Sequence, residues 1–166
     1  MSSAGPFRPG CTPHPEVHVT DLAQFEALVP LDHGLAVVVT RRADQTPHTT
    51  VVNAGVVPHP GTGDPVVAFV AAGGTRKLVH LRADPTIAVV LRAGWQWSAV
   101  EGRAQPIGPD DPDPDVDDEQ LRLVLREIFI AAGGTHDDWD GYDRTMREER
   151  RTAVLVAPTR VYSNPT

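Results

Sequence analysis

The chain has 166 residues, of which 40% are apolar and 22% are charged, values typical of one globular domain with a hydrophobic core. Its net charge of −7 and the lack of a basic face argue against a nucleic-acid-binding protein. No apolar run reaches the roughly 18 residues of a membrane-spanning helix. The lone Cys11 cannot form an intrachain disulfide, so we expect a cytoplasmic protein. From the charge and the absence of a long apolar run, we expect binding to neither nucleic acid nor membrane.

The first part of the domain is predicted to be mainly strand. Residues 1–19 are rich in proline and lack the apolar core of a signal peptide, which predicts a flexible N-terminal arm before a single domain over residues 20–166. Apolar residues at helical spacing predict a helix over residues 20–29. β-Branched runs bounded by turn residues then predict five strands, over residues 35–41, 48–57, 65–71, 86–92 and 97–107.

The remaining elements are mainly helical. A short helix over residues 76–83 is inserted between the third and fourth strands and ends before Pro85, because the residue before a proline disfavours helical geometry. An acidic linker contains seven Asp and Glu residues between positions 110 and 119, which equal the whole net charge. Two helices within segments 116–132 and 137–151 and a final strand complete the chain. This order predicts an α+β barrel with helices packed outside.

The segment Gly-Gly-Thr-Arg-Lys at residues 73–77 contains the only lysine of the chain. Thr75 stands at the N-cap position of the inserted helix, and Arg76 and Lys77 follow in its first turn, where acids are usually favoured. The helix dipole disfavours two cations there. A phosphate bound between the helix N-terminus and the cations would offset this unfavourable interaction. The segment indicates a candidate phosphate site, with two exposed surface cations as the alternative.

The sequence contains no convincing set of protein groups for catalysis. The histidines and Cys11 lack the spacing of a zinc site, and no Gly-x-Ser-x-Gly motif occurs. We therefore expect no metal, assign no catalytic residue, and infer that a cofactor carries the chemistry if the protein is an enzyme. Trp95 and Trp97 precede a strand, where each either packs against the protein or lies against a flat ring system.

Several segments together resemble a known family. "TPHTTVV" at 46–52, "TRKLVHLRADP" at 75–85 and "WSAVEGRA" at 97–104 resemble the pyridoxamine-phosphate-oxidase-like split-barrel family of flavin and deazaflavin proteins. The later "GGTHDDWDGYDRTMREERR" and "LVAPTRVYSNP" resemble its actinobacterial branch, which binds the deazaflavin coenzyme F420. The resemblance implies a six-stranded antiparallel split β-barrel of the α+β class with peripheral helices. It also implies a homodimer with two cofactor sites at the subunit interface.

The resemblance further implies which residues contact the cofactor. Ten positions correspond to the family's cofactor-binding residues: His48, Thr49, Thr50, Val51, Val70, Ala71, Thr75, Arg76, Lys77 and Trp95. The residues from Thr75 to Lys77 would bind the phosphate, and the strand that starts at His48 would run beside the ring. Val70 and Ala71 would flank the ring on its other side, with Trp95 near the ring and the ribityl chain.

Two positions depart from the family pattern. Val51 is apolar and His48 is ionisable at positions where relatives often carry uncharged polar side chains. The family can also use FMN in place of F420.

The implied function is hydride transfer between F420 and an unidentified small unsaturated organic substrate. Reduced deazaflavin is an obligate hydride donor, so no protein base is strictly required. Two alternatives remain: an FMN-dependent oxidase or reductase on the same fold, and a non-catalytic carrier or sensor that binds F420 or FMN. The partners that we expect are a second copy of the chain and the small-molecule substrate.

Overall fold

The computed structural model describes residues 21–164, so the predicted arm over residues 1–19 lies outside the described residues. Within this range no helix is both long and apolar enough to cross a membrane. The helices and strands, in chain order, are α1 (Ala23–Leu28), β1 (Leu35–Arg41), β2 (Pro47–Pro58), β3 (Pro65–Ala71), α2 (Arg76–Ala83), β4 (Thr86–Ala93), β5 (Gln96–Ile107), α3 (Asp118–Ala131), α4 (Trp139–Glu148) and β6 (Thr152–Ser163).

The six strands form one closed antiparallel barrel in the order β1-β2-β3-β6-β5-β4. This confirms the predicted six-stranded split β-barrel of the α+β class with peripheral helices. The first helix is shorter than predicted at both ends, because it begins at Ala23 and passes into a 3-10 turn over Val29–Leu31. That turn contains Pro30, which has no N–H to continue an α-helix.

Two apolar clusters lie on opposite sides of the barrel wall. The first fills the barrel interior and includes Phe25 of α1 and Leu78 of α2, both fully buried. The second lies between the outside of the wall and α3. Strand β3 contributes to both clusters, with Phe69 pointing inward and Ala68 pointing outward. A strand buried on both faces is apolar at nearly every position, which explains the run Val-Val-Ala-Phe-Val.

The carboxylate of Asp143 attaches α4 to α3. This side chain is 6% exposed and accepts hydrogen bonds from Arg126 Nε at 2.8 Å and from Arg122 Nη1 at 3.1 Å. The hydrogen bonds from Arg126 lower the pKa of Asp143 against the opposing effect of burial, and those from Arg122 add to this lowering. Beside this ion pair, Tyr142 donates from its hydroxyl to the carbonyl of Leu125 at 3.1 Å. The two helices are therefore fixed to each other by polar groups.

The acidic segment is attached to the rest of the protein at several points. Arg82 of α2 donates two hydrogen bonds of 2.7 Å to Asp111, and Arg150 forms an ion pair with Asp110. Asp117 caps α3 by accepting from the backbone N–H of Gln120 at 2.8 Å. The segment is thus more than a solvated linker, because arginines 29 and 40 positions away in the chain bind its carboxylates.

We expect Asp143→Asn to destabilise the fold, because a neutral amide cannot replace the charge-assisted hydrogen bonds to two guanidinium groups. The expected loss in the free energy of unfolding is about 2 kcal/mol at neutral pH, measured by urea denaturation. Because the pKa of Asp143 is lowered in the folded state, this stabilisation is present above the unfolded pKa of about 4 and is lost at lower pH. The difference in the free energy of unfolding between the wild type and Asp143→Asn should therefore shrink as the pH falls below about 4.

Asp137→Asn is the matched control, since Asp137 is exposed and forms no ion pair with any residue between 21 and 164. An equal loss of stability in the two variants would show that the Asp143 carboxylate does not hold α4 on α3.

Candidate functional site

A cavity of about 640 Å³ opens between the barrel wall and the two late helices. One side is formed by the middle of β2 and the end of β3. The other side is formed by the end of α3, by α4 and by the Gly133–Gly134 turn between them. The start of α2, the residue before β6 and His33 in the turn before β1 complete the lining. The cavity thus joins parts of the chain that are far apart in sequence.

The charged groups that line this cavity are cations. Lys77 and Arg151 both line it, and no carboxylate belongs to its described lining. Burial lowers the pKa of Lys77, and the charge of Arg151 lowers it further. The ammonium group of Lys77 also lies 5.9 Å from the ring centroid of the buried Phe69. Two cations facing one cavity without an acid form a site suited to an anion.

The start of α2 adds unsatisfied polar groups to the same end of the cavity. Thr75 occupies the N-cap position as predicted, but its side chain makes no capping hydrogen bond. Its Oγ1 atom is buried without a hydrogen-bond partner among the described residues. The first amides bonded within α2 are those of Leu78 and Val79, so the amides of Arg76 and Lys77 are left for an acceptor outside the helix. An oxyanion would satisfy these groups.

A close backbone contact brings Lys77 and Arg151 to the same cavity. The N–H of Gly73, two residues before the N-cap, donates to the carbonyl of Glu149 at 3.0 Å. A Cβ on Gly73 would lie 2.8 Å from both Cβ and O of Arg150. The loop before α2 can therefore reach the corner between α4 and β6 only because residue 73 has no side chain.

The structure brings together half of the ten residues that the resemblance implies. Five of them line the cavity: Val51, Val70, Ala71, Thr75 and Lys77. Arg76 is exposed on the first turn of α2, beside the cavity. His48, Thr49 and Thr50 precede Val51 on β2 and do not belong to the lining.

Trp95 lies apart from the cavity of its own chain. It occupies the turn between β4 and β5, and its side chain is 93% exposed. The turn is fixed by Asn164, whose amide donates to the carbonyl of Trp95 at 3.1 Å and accepts from the backbone N–H of Trp97 at 3.0 Å. The ring of Trp97 instead packs edge-on against that of Tyr162.

His48 and Thr50 carry unpartnered buried polar atoms. The Nδ1 atom of His48 and the Oγ1 atom of Thr50 are buried without a hydrogen-bond partner in the described part of the chain. The ring of His48 packs edge-on against that of His80 at 4.9 Å. Burial lowers the pKa of His48, as do the charge of His80 and those of three nearby cations, Arg42, Lys77 and Arg76. The lowered pKa of His48 favours the neutral form of its imidazole ring.

Sequence reasoning missed the wall that the late helices contribute. Phe129, Tyr142 and Met146 line the cavity opposite the strands, together with Arg151. The rings of Phe129 and Tyr142 lie 5.0 Å apart, and burial raises the pKa of Tyr142 to about 12, so its hydroxyl stays protonated. The segment 133–151 contributed to the resemblance as a whole. The aromatic residues of this segment could have predicted that it forms part of an apolar wall.

We expect Gly73→Ala to destabilise the protein, because its Cβ would collide with backbone as well as side-chain atoms of Arg150. The expected loss is about 2 kcal/mol in the free energy of unfolding, the usual scale of overpacking, measured by urea denaturation. Gly61→Ala is the control, since a Cβ there meets only atoms of the His59 ring at an ordinary 3.5 Å. A Gly73→Ala protein as stable as this control would contradict the close contact.

Comparison with known proteins identifies the family. The profile of pyridoxamine 5'-phosphate oxidase matches residues 22–164. A conserved hypothetical protein from Mycobacterium tuberculosis superposes with a TM-score of 0.63 at 19% identity, over 92% of this chain and 89% of that chain. An F420 reductase gives 0.55 at 18% identity, over 82% and 94%. A heme-binding protein from Mycobacterium smegmatis gives 0.56 at 12% identity, over 85% and 53%.

At these identities the solved structures show a shared fold. The family profile goes further, because it matches nearly all of the described chain. Together with the closed six-stranded barrel, this match shows that the chain belongs to the pyridoxamine 5'-phosphate oxidase family of oxidoreductase-like split-barrel proteins.

Proposed function

We propose that this protein is an oxidoreductase that binds coenzyme F420 in the cavity and acts on a small unsaturated organic substrate. The composition of the cavity lining carries the proposal, because it combines the cations Lys77 and Arg151 with aromatic and aliphatic side chains. A deazaflavin coenzyme combines a phosphate-bearing chain with a flat ring. A volume of about 640 Å³ lies within the usual range for ligand pockets.

The phosphate of the cofactor fits the start of α2. There it would receive hydrogen bonds from the Thr75 hydroxyl and from the free amides of Arg76 and Lys77. The Lys77 ammonium adds a compact charge that is already partly desolvated, and the exposed Arg76 adds a second charge at the rim. The unsatisfied groups support an oxyanion ligand, because buried polar atoms normally have hydrogen-bond partners.

The ring of the cofactor fits beside β2 and β3. Val51 and Val70 line the cavity from these strands, with Ala71 at the end of β3. Thr49 is exposed on β2, and the unpartnered atoms of His48 and Thr50 lie on the same strand. We propose that these strand residues contact the ring system, with His48 as a neutral hydrogen-bonding group. Thr49, which shares the outward face of β2 with Val51, would supply a polar contact that the apolar side chain of Val51 cannot make.

The chain's own residues bind, orient and shield the cofactor, and the bound coenzyme supplies the hydride chemistry. Thr75 and Lys77 fix the phosphate end, while Phe129, Tyr142 and Met146 exclude water from the opposite wall. F420 is favoured over FMN by the resemblance of segment 133–151 to the deazaflavin branch. An F420 reductase with the same fold is consistent with this choice.

We propose that a second copy of the chain covers the outer face of β1. Its residues Leu35, Val37 and Val39 all point away from the barrel interior and are all apolar. Val37 pairs with Val51 of β2, which is 62% exposed, and with Val90 of β4. An outward strand face in contact with water usually carries polar side chains, so this continuous apolar face favours a homodimer.

We propose that Trp95 contacts the cofactor of the partner copy. Its indole ring is almost fully exposed and lies outside the cavity of its own chain. The turn that presents it is held by two hydrogen bonds with Asn164, one donated and one accepted by its side-chain amide, so the ring projects from a fixed backbone. A shared site of this kind reconciles the implied role of Trp95 with its position.

We expect F420 to bind more tightly than FMN. Quenching of the fluorescence of the three tryptophans during titration with each cofactor, at equal protein concentration, gives the two dissociation constants. Mass spectrometry of any small molecule that co-purifies from an F420-producing host provides an independent check. Tighter binding of FMN would transfer the proposal to an FMN-dependent oxidase or reductase. Binding without turnover of any unsaturated substrate would favour the carrier or sensor.

We expect Lys77→Ala to weaken cofactor binding about tenfold to hundredfold, because it removes a charge-assisted contact worth roughly 1.5–3 kcal/mol. Lys77→Arg should cost less but remain measurable, since the guanidinium fork differs in shape from an ammonium group. The melting temperature of the cofactor-free protein should hardly change. An unchanged cofactor affinity in Lys77→Ala would place this side chain outside the phosphate site.

We expect a dimer in solution, with a mass twice that of the 17.9 kDa chain, measured by light scattering at micromolar concentration. Val37→Lys should shift the protein towards the monomer, because it places a charge in the apolar face of β1. Leu123→Lys is the control, since Leu123 is also an exposed apolar residue but lies on α3. A stable wild-type monomer would rule out the shared site.

A further inference from the structure

We propose that Arg151 is a second cationic ligand of the same anionic group that Lys77 binds, so that two cations from distant elements enclose it. This inference rests on the proposed function, because it concerns the phosphate end of the same cavity. The resemblance implies no role for Arg151. Its assignment comes from the position of its side chain on the cavity and from the charges around it.

The backbone on both sides of Arg151 is fixed. Its N–H donates to the carbonyl of Met146 at 2.8 Å, at the end of α4. The next residue, Thr152, is fully buried and pairs with Ala71 at the end of β3. Because β3 leads directly into the loop before α2, Arg151 is held beside the segment that carries Thr75 and Lys77.

The side chain of Arg151 is oriented and still has free donors. Its Nε donates to Glu149 Oε2 at 2.7 Å, its Nη2 lies 2.5 Å from the same oxygen, and the side chain is 30% exposed. A guanidinium group carries five N–H donors in a planar fork. One carboxylate oxygen therefore orients the group and leaves donors for a ligand in the cavity. Arginine is well suited to phosphate, because two of its N–H groups can bind two phosphate oxygens at once.

The charges around the cavity favour an anion between the two cations. Lys77 forms no ion pair with any residue from 21 to 164, and Arg151 pairs only with Glu149 in that range. Glu149 is not part of the lining, so the lining of this cavity carries two positive charges without a negative one. Arg151 also lines a neighbouring cavity of about 460 Å³ that contains Asp118, Glu119 and Asp143, but its ion pair within residues 21–164 is with Glu149. Repulsion between Lys77 and Arg151 opposes their placement, and a phosphate between them would turn that repulsion into two attractions.

A purely structural Arg151, held by Glu149 to close the corner before β6, is the competing interpretation. Three variants separate the two interpretations: Arg151→Gln, Lys77→Ala and Glu149→Gln. Removing Glu149 breaks the ion pair but leaves the cation in place. A ligand role then predicts that Glu149→Gln keeps or strengthens phosphate binding, whereas a structural role predicts that it behaves like Arg151→Gln.

The experiment measures the dissociation constant of inorganic phosphate by isothermal titration calorimetry for the wild type, these variants and the Lys77→Ala/Arg151→Gln double variant. We expect each single loss of a cation to weaken phosphate binding about tenfold. In the double variant, phosphate binding should weaken by less than the product of the two single fold-changes, because both cations hold one anion. Glu149→Gln should bind phosphate at least as tightly as the wild type.

Three results would overturn the inference: phosphate affinity within twofold of the wild type in Arg151→Gln, an equal loss in Glu149→Gln, or no phosphate binding by the wild type. Titration of the same proteins with F420 and FMN separates this inference from the proposed function. Cofactor binding that does not depend on Arg151 would leave the function standing and remove the second cation. If phosphate binding depends on Lys77 and Arg151 as expected but neither cofactor binds, the second cation would stand and the proposed function would be removed.

Discussion

The site depends on one close contact, between the loop at Gly73 and the corner where α4 meets β6. The hydrogen bond from the Gly73 amide to Glu149 O, at 3.0 Å, requires the two backbones to approach so closely that no Cβ fits. The pairing of Ala71 with Thr152 extends the same contact into the barrel. Because of this contact, the start of α2 and the residue before β6 face one cavity, although they are far apart in sequence.

The acidic segment forms its ion pairs with arginines outside the cavity. Asp111 binds Arg82 on α2, and Asp110 binds Arg150 at the α4–β6 corner. The acidic segment thus attaches both to α2 and to the α4–β6 corner, and it neutralises the charges of Arg82 and Arg150. Lys77 lines the cavity described above, whose described lining has no carboxylate. Arg151 lines this cavity and also a second one of about 460 Å³, which contains Asp118, Glu119 and Asp143. The acidic segment therefore stabilises the walls of the cavity without contributing a carboxylate to its described lining.

The opposite wall depends on a different kind of interaction. Tyr142 lies in the short helix α4, which depends on α3 for its position. Asp143 provides that attachment through two guanidinium groups, and the aromatic ring of Tyr142 packs against Phe129. Arg126 also lies over the ring of Trp139 at 5.0 Å. An apolar wall is therefore held by a polar attachment on its far side, which keeps the apolar rings available to the cavity.

The sequence by itself determined the strands and the barrel class, because these depend on neighbouring residues. β-Branched runs predicted β1 to β5 within one or two residues. The cations Arg76 and Lys77 in the first turn of α2 predicted a phosphate site, and this stays a prediction. Only the tertiary structure decided that the Thr75 hydroxyl caps nothing, that Trp95 is exposed and that Arg151 joins Lys77. These properties depend on which distant surfaces come into contact, and the local spacing of residues does not predict such contacts.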